Sequence, residues 1–353
     1  MARVYAPASP PVALTIAGSD SGGGAGIQAD IQTFAAHGVF GTSVVAATTA
    51  QNSQGVAEAH VLPTDHVKAQ YRAVADDVAL AGVKTGMLAT ATMVETVADL
   101  LTDAPAPNVD EAEVLAGMAV ETPADARAAG DRIRETGVDA VLVKGGHLAD
   151  DEDVVDTLVT ADGVERFTHP RVDTQATHGS GCVLSSAVAA RLASGEELVE
   201  AVGGATEFLE RAVRYGVDVG GGPGAVNPLV ALRDDAARES TAETTRWLVE
   251  SLADPDLRAL VPDRGLSVVG ATPCAEGPTD VAAIEGRVVR TRGGVTAVGG
   301  VRFGTESPAA RALLEARESD PALRFGVAAR DVDAVSSTFE AHATTARLPG
   351  GRL

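Results

Sequence analysis

The hexapeptide Thr177-His178-Gly179-Ser180-Gly181-Cys182 places small residues directly before an apolar, helix-forming run. N–H groups at such a helix start lack partners inside the helix and carry the positive end of its dipole, so Gly179, Ser180 and Gly181 form a candidate anion hole. Cys182 falls at the same helix start, where a thiol pKa can drop from about 8.5 toward neutrality. A thiolate there can take a proton from a substrate hydroxyl while the N–H groups hold a transferring phosphoryl group. The same spacing suits a structural cysteine beside a tight turn equally well.

A second cluster of small residues, in TIAGSDSGGGAGIQAD (15–30), lies between a strand-like run and a helix-like one. Glycines at that junction can let backbone N–H groups approach a phosphate. The spacing argues against a nucleotide fingerprint: Gly22 and Gly24 begin G-x-G-x-x-G, but position 27 is Ile27, and no G-x-x-x-x-G-K-[ST] occurs.

The elements that must position these loops alternate between strand and helix through the first two thirds of the chain, which predicts an α/β fold with a mostly parallel sheet. Strands are expected at 12–18, 43–51, 82–88 and 139–147, and a strand pair at 153–168. Helices are expected after each glycine loop, at 93–101, at EAEVLAG and PADARAAGDRIRETG, and at 197–214. RDDAARESTAETT (233–245) reads as a charged linker between a domain at 1–232 and a second at 246–353. In the second unit a helix is expected over 247–260, β-like runs over 286–303 and a helix over 309–317.

The chain has 49 acidic and 28 basic residues, a net charge of -21, and three lysines in 353 residues, Lys68, Lys84 and Lys144. Such a surface repels nucleic acid and anionic membranes. Together with 3% aromatic residues it suggests adaptation to high salt. Two distant cysteines, Cys182 and Cys274, make no metal spacing and point to a reducing cytoplasm, and the N-terminal apolar run is too short for a signal or spanning segment.

The segments TIAGSDSGGGAGIQAD, TTAQNSQGV, KTGML, VKGGH and THGSGC, in this order, closely resemble the hydroxymethylpyrimidine kinase / hydroxymethylpyrimidine phosphate kinase family of the ribokinase-like superfamily, over residues 10–230. The resemblance implies a ribokinase-like three-layer α/β/α sandwich and transfer of the ATP γ-phosphate, with Mg²⁺, to 4-amino-5-hydroxymethyl-2-methylpyrimidine and then to its monophosphate, in thiamine synthesis. It places Gly18, Asp30, Gln51 and Met87 around the pyrimidine, with Asp30 accepting from the ring amine and Gln51 pairing with a ring nitrogen. It makes Cys182 catalytic with Gly179 and Gly181, and puts Thr177, Ser180, Lys144, Asn108 and Glu111 at the ATP phosphates, Glu111 meeting Mg²⁺ through water. Family analogy adds a homodimer; the nearest alternatives are a pyridoxine/pyridoxal kinase and a non-catalytic pyrimidine or thiamine phosphate sensor.

Between KTGML and Asn108 the sequence lacks an internal strand-helix-strand segment of that family. The second unit resembles a partial, degenerate α+β domain of the ThiN-type thiamine phosphate synthase. Gly304-Thr305-Glu306-Ser307-Pro308 stands where that family has Ser-x-His, and the unit stops before the family's C-terminal half.

Overall fold

The computed structural model describes residues 8–101, 122–145 and 153–329. The chain divides into two units, Met1–Val230 and Ala231–Leu353.

The first unit starts with β1 (Val12–Ser19), whose inner positions are all buried. A continuous apolar run of this kind suits a strand covered on both faces. Helix α1 (Gly26–Ala36) carries the chain to β2 (Phe40–Asn52), and α2 (Thr64–Ala75) follows the hairpin strand β3 (Gly55–Val61). After β4 (Leu80–Thr85) comes α3 (Ala91–Leu101). The resulting sheet has the order β3-β2-β1-β4, with β1 parallel to both β2 and β4 and β3 antiparallel to β2.

Helix α4 (Pro123–Arg134) opens with a capping box: Thr122 accepts from the Asp125 N–H, and Asp125 reaches back to the Thr122 N–H. It leads to β5 (Ala140–Val143), β6 (Asp153–Thr160) and β7 (Val164–Pro170), a separate antiparallel sheet. Helices α5 (Ser180–Ala193) and α6 (Leu198–Arg214) complete the unit.

Both sheets are covered on two faces. Leu14, Ile16 and Val44 pack on Val67, Met93 and Val97 of α2 and α3, while Ala13 packs on Phe34 of α1 and Ala189 and Ala190 of α5. Val141 and Val143 meet α4, and Leu142 and Leu158 meet α5 and α6. Each fully buried Leu or Ile of this kind contributes roughly 1.5–3 kcal/mol.

The first sheet is mostly parallel, as expected, and the β5-β6-β7 sheet is antiparallel. Among the described strands the parallel pairings are β1 with β2 and β1 with β4, and β4 and β5 do not pair with each other.

In the second unit α7 (Val230–Leu252) precedes β8 (Ser267–Ala271), β9 (Val281–Ile284), the hairpin β10 (Arg287–Thr291) and β11 (Gly294–Val298), β12 (Val301–Phe303), α8 (Pro308–Ser319) and β13 (Phe325–Ala328). Four of its strands form a sheet in the order β12-β9-β8-β13. The supposed linker 233–245 is the middle of α7, and the helix expected over 247–260 is the end of α7 followed by a short 3-10 turn at Pro255–Leu260. The inward stripe of α7 includes Asp234, Thr241 and Thr245. Asp234 is buried because it accepts from the Thr272 hydroxyl at 2.9 Å and the Cys274 N–H at 2.7 Å. No described helix is long and apolar enough to cross a membrane.

Candidate active site

The first glycine loop wraps around a carboxylate of its own chain. Asp20 is 4% exposed, and its oxygens accept from the N–H groups of Gly22 (2.7 Å), Gly24 (3.1 Å) and Ala25 (2.8 Å). Burial works to raise its pKa, but these N–H groups and His178 outweigh it and hold the carboxyl below its ordinary 3.8. The loop therefore spends on Asp20 the N–H groups that a phosphate cradle would aim at a ligand. Asp20 is a site residue that sequence reasoning missed; its signal is an Asp followed by small residues, which favours local side-chain-to-backbone bonds.

His178, the second missed residue, ties this loop to the helix start. Its Nε2 lies 3.3 Å from Asp20 Oδ2 and 3.3 Å from the Gln51 amide nitrogen. His178 Nε2 thus stands between the Asp20 carboxylate and the Gln51 amide. Gln51 is fixed through its backbone, which both accepts from and donates to the Ser21 hydroxyl at 2.6 and 2.7 Å.

Close backbone approach locks the two loops. Gly179, the N-cap of α5, has φ +83°, and a Cβ there would overlap the Gly24 carbonyl oxygen. A Cβ on Gly24 would lie 2.6 Å from the His178 ring. The tail 216–226 straps the same place: the Val226 N–H donates to the His178 carbonyl at 3.1 Å, and the Gly222 N–H to Ser53 Oγ at 3.1 Å.

At the start of α5 the first ladder bond runs from Val183 N–H to the Gly179 carbonyl. The preceding turn therefore presents its N–H groups at the helix end, with Cys182 in that turn. The Ser180 N–H is engaged by the Thr177 carbonyl at 3.1 Å, which moves the anion-holding task from Ser180 toward Gly181. Thr177 itself is exposed.

Gly18 and Met87 lie side by side: a Cβ on Gly18 would lie 2.7 Å from Met87 Cε, and Met87 is 52% exposed. Lys144 lines a cleft with Gly181 and Ser185, between the β5–β6 face and α5–α6; Leu142, Leu158, Leu184 and Val202 form its apolar walls.

Asp30 is a correction. Its side chain is 0% exposed, and its carboxylate accepts from Lys84 Nζ at 2.8 Å, Thr15 Oγ1 at 2.6 Å and Ser186 Oγ at 2.8 Å. Those bonds satisfy the charge inside the core and leave no face for a ring amine. Asn108 and Glu111 lie outside the described residues. Among the described residues no group of three or more His, Cys, Asp or Glu could hold a metal ion.

Comparison with known proteins gives this geometry a family. The phosphomethylpyrimidine kinase family matches residues 20–106 and 102–227. The chain belongs to that family. A hydroxymethylpyrimidine/phosphomethylpyrimidine kinase of Streptomyces coelicolor is 43% identical over 258 residues, covering 63% of this chain and 95% of the relative. The Bacillus subtilis kinase of the same name is 38% identical, covering 61% and 93%. Among solved structures, an ADP complex of Bacillus subtilis pyridoxal kinase superposes with a TM-score of 0.60 at 31% identity, covering 64% of this chain and 99% of the other. Phosphomethylpyrimidine kinase from Clostridium difficile 630 does so at 0.50 and 31%, covering 57% and 99%. The fold of the first unit is thus ribokinase-like. Residues 245–346 match a second family, thiamine-phosphate synthase ThiN.

Proposed function

We propose that the first unit carries out its family's reaction, ATP-dependent phosphorylation of hydroxymethylpyrimidine and then of its monophosphate, in thiamine biosynthesis. The observation that carries the residue assignment is the lock between the pyrimidine loop and the helix start, in which Gly179 lies against the Gly24 carbonyl and His178 against Asp20. It holds the acceptor's loop and the turn bearing Cys182 in one fixed relation.

In this reading the ring rests on Met87 beside Gly18, and the Gln51 amide donates to a ring nitrogen. Cys182 takes the proton of the hydroxymethyl group as its oxygen bonds to the γ-phosphorus; the bond to the bridging oxygen breaks and ADP leaves. The Gly179–Gly181 turn stabilises the charge on the transferred group, and Lys144 neutralises phosphate charge beside it. A Mg²⁺ ion would be carried on the nucleotide phosphates and neutralise their charge, with Glu111 meeting it through water and Asn108 beside it. A homodimer and a cytoplasmic setting complete the reading. The second unit, with Gly304–Pro308 in place of Ser-x-His, acts as a ligand-holding rather than a synthetic domain.

The pyridoxal kinase likeness gives a second reading its one support, and a single experiment separates the two. The protein in molar KCl is given ATP, Mg²⁺ and either hydroxymethylpyrimidine or pyridoxal, and products are followed by mass spectrometry. Mono- and diphosphate from the pyrimidine support our reading. Phosphorylation of pyridoxal alone replaces it, and a folded protein without product in either case favours the sensor.

A further inference from the structure

Asp156 on β6 sits apart from the residues assigned above. It is 1% exposed, Oδ1 accepts the Gly145 N–H at 2.9 Å, and Oδ2 has no hydrogen-bond partner among the described residues. His169 Nε2 stands 4.0 Å from Oδ2. Burying a carboxylate with one unsatisfied oxygen is costly, so a residue kept in that state needs a reason beyond packing.

The reason lies one residue before the group it binds. A Cβ on Gly145 would overlap the Val155 carbonyl oxygen, so the chain at 144–145 is pressed directly onto β6. The Asp156 bond then fixes where along β6 that contact occurs. Lys144, immediately preceding, lines the cleft beside Gly181 and Ser185 at the start of α5. β5 ends at Val143, and among the described residues its partner strand is β6, the strand that carries Asp156.

We propose that Asp156 is a positioning residue for phosphoryl transfer: through the Gly145 N–H it sets the place of Lys144 at the anion hole. This inference rests on the reading of Lys144 as a phosphate contact. It assigns Asp156 no contact with substrate.

The test is a double-mutant cycle on ATP binding by calorimetry, with the melting temperature of every variant recorded. Lys144→Ala should weaken ATP, and Asp156→Leu should weaken it by about tenfold, the worth of one hydrogen bond to a charged group. Because both act through one contact, the double variant should bind as Lys144→Ala does. Asp156→Asn, which keeps an acceptor for the N–H, should bind nearly as the parent. If Asp156→Leu does not fold, Asp156→Ser, too short to reach Gly145, takes its place. A folded Asp156→Leu or Asp156→Ser with parental ATP affinity, or additive losses in the double variant, overturns the proposal while leaving Lys144 in place. Parental affinity in Lys144→Ala overturns both this proposal and the reading beneath it.

Discussion

His178 Nε2 and Asp20 Oδ2 stand 3.3 Å apart, although 158 positions separate them in sequence. One belongs to the loop before α5 and the other to the loop before α1, so the contact joins the two halves of the site. It also gives Asp20 a charge-dependent role.

The Asp20 carboxyl has a depressed pKa in the folded state, so its contribution to stability is present above the ordinary value of 3.8 and is lost as pH falls through the folded value. We expect Asp20→Asn to be less stable than the parent near pH 7 by about 1–3 kcal/mol, the cost of weakening buried bonds to charge. Below pH 4 the gap should close. Denaturant melts from pH 7 to pH 3 check this, and a gap that widens in acid would contradict it.

Gly179→Ala should damage the site through the backbone. The residue sits at φ +83° with the Gly24 carbonyl against it, and strain of this kind costs about 1–3 kcal/mol before any clash. The expected result is a lower melting temperature together with a fall in turnover for both substrates. Full activity at unchanged stability would show that the loops are not locked.

At Gly18 the outcome should be selective. An added methyl meets only Met87 Cε at 2.7 Å, the end of a flexible side chain that can move. Gly18→Ala should therefore fold normally, raise the KM for the pyrimidine several-fold and leave the KM for ATP alone. Equal changes in both would remove Gly18 and Met87 from the pyrimidine pocket.

Asp30 and Lys84 form a buried pair with side chains 0% and 3% exposed. Removing one partner of such a pair costs about 3–5 kcal/mol because the other charge is left unpaired. Lys84→Met and Asp30→Ala should each unfold at much lower denaturant, with no specific effect on pyrimidine affinity. A stable Asp30→Ala that has lost only pyrimidine binding would restore the role expected from the sequence.

These contrasts mark where sequence patterns carried information. The β1 strand and the helices after both glycine loops were legible because their apolar residues and glycines fall in regular positions. Helix α7 was not, since part of its inward stripe is polar, Asp234, Thr241 and Thr245 among it, and so shows no apolar period. β3 was passed over because its residues are almost all exposed. Cys182 and the small residues before it could be read from the start of α5. His178 could not, because its partners, Asp20 and Gln51, come from distant loops. Asp30 misled because a carboxylate on a helix near a loop looks the same in sequence whether it faces a ligand or a buried lysine.

The central claim is that Cys182 acts as the general base. The first acceptor is an alcohol that must lose a proton, whereas the second is a phosphate already largely ionised, with a second pKa near 6. The decisive measurement is the single-turnover rate of each phosphorylation in Cys182→Ala, at saturating ATP. Loss of a general base should slow the first step by about 10²–10⁴-fold and the second far less. Equal losses in the two steps would contradict a proton-accepting Cys182 and leave it a structural residue of the anion hole.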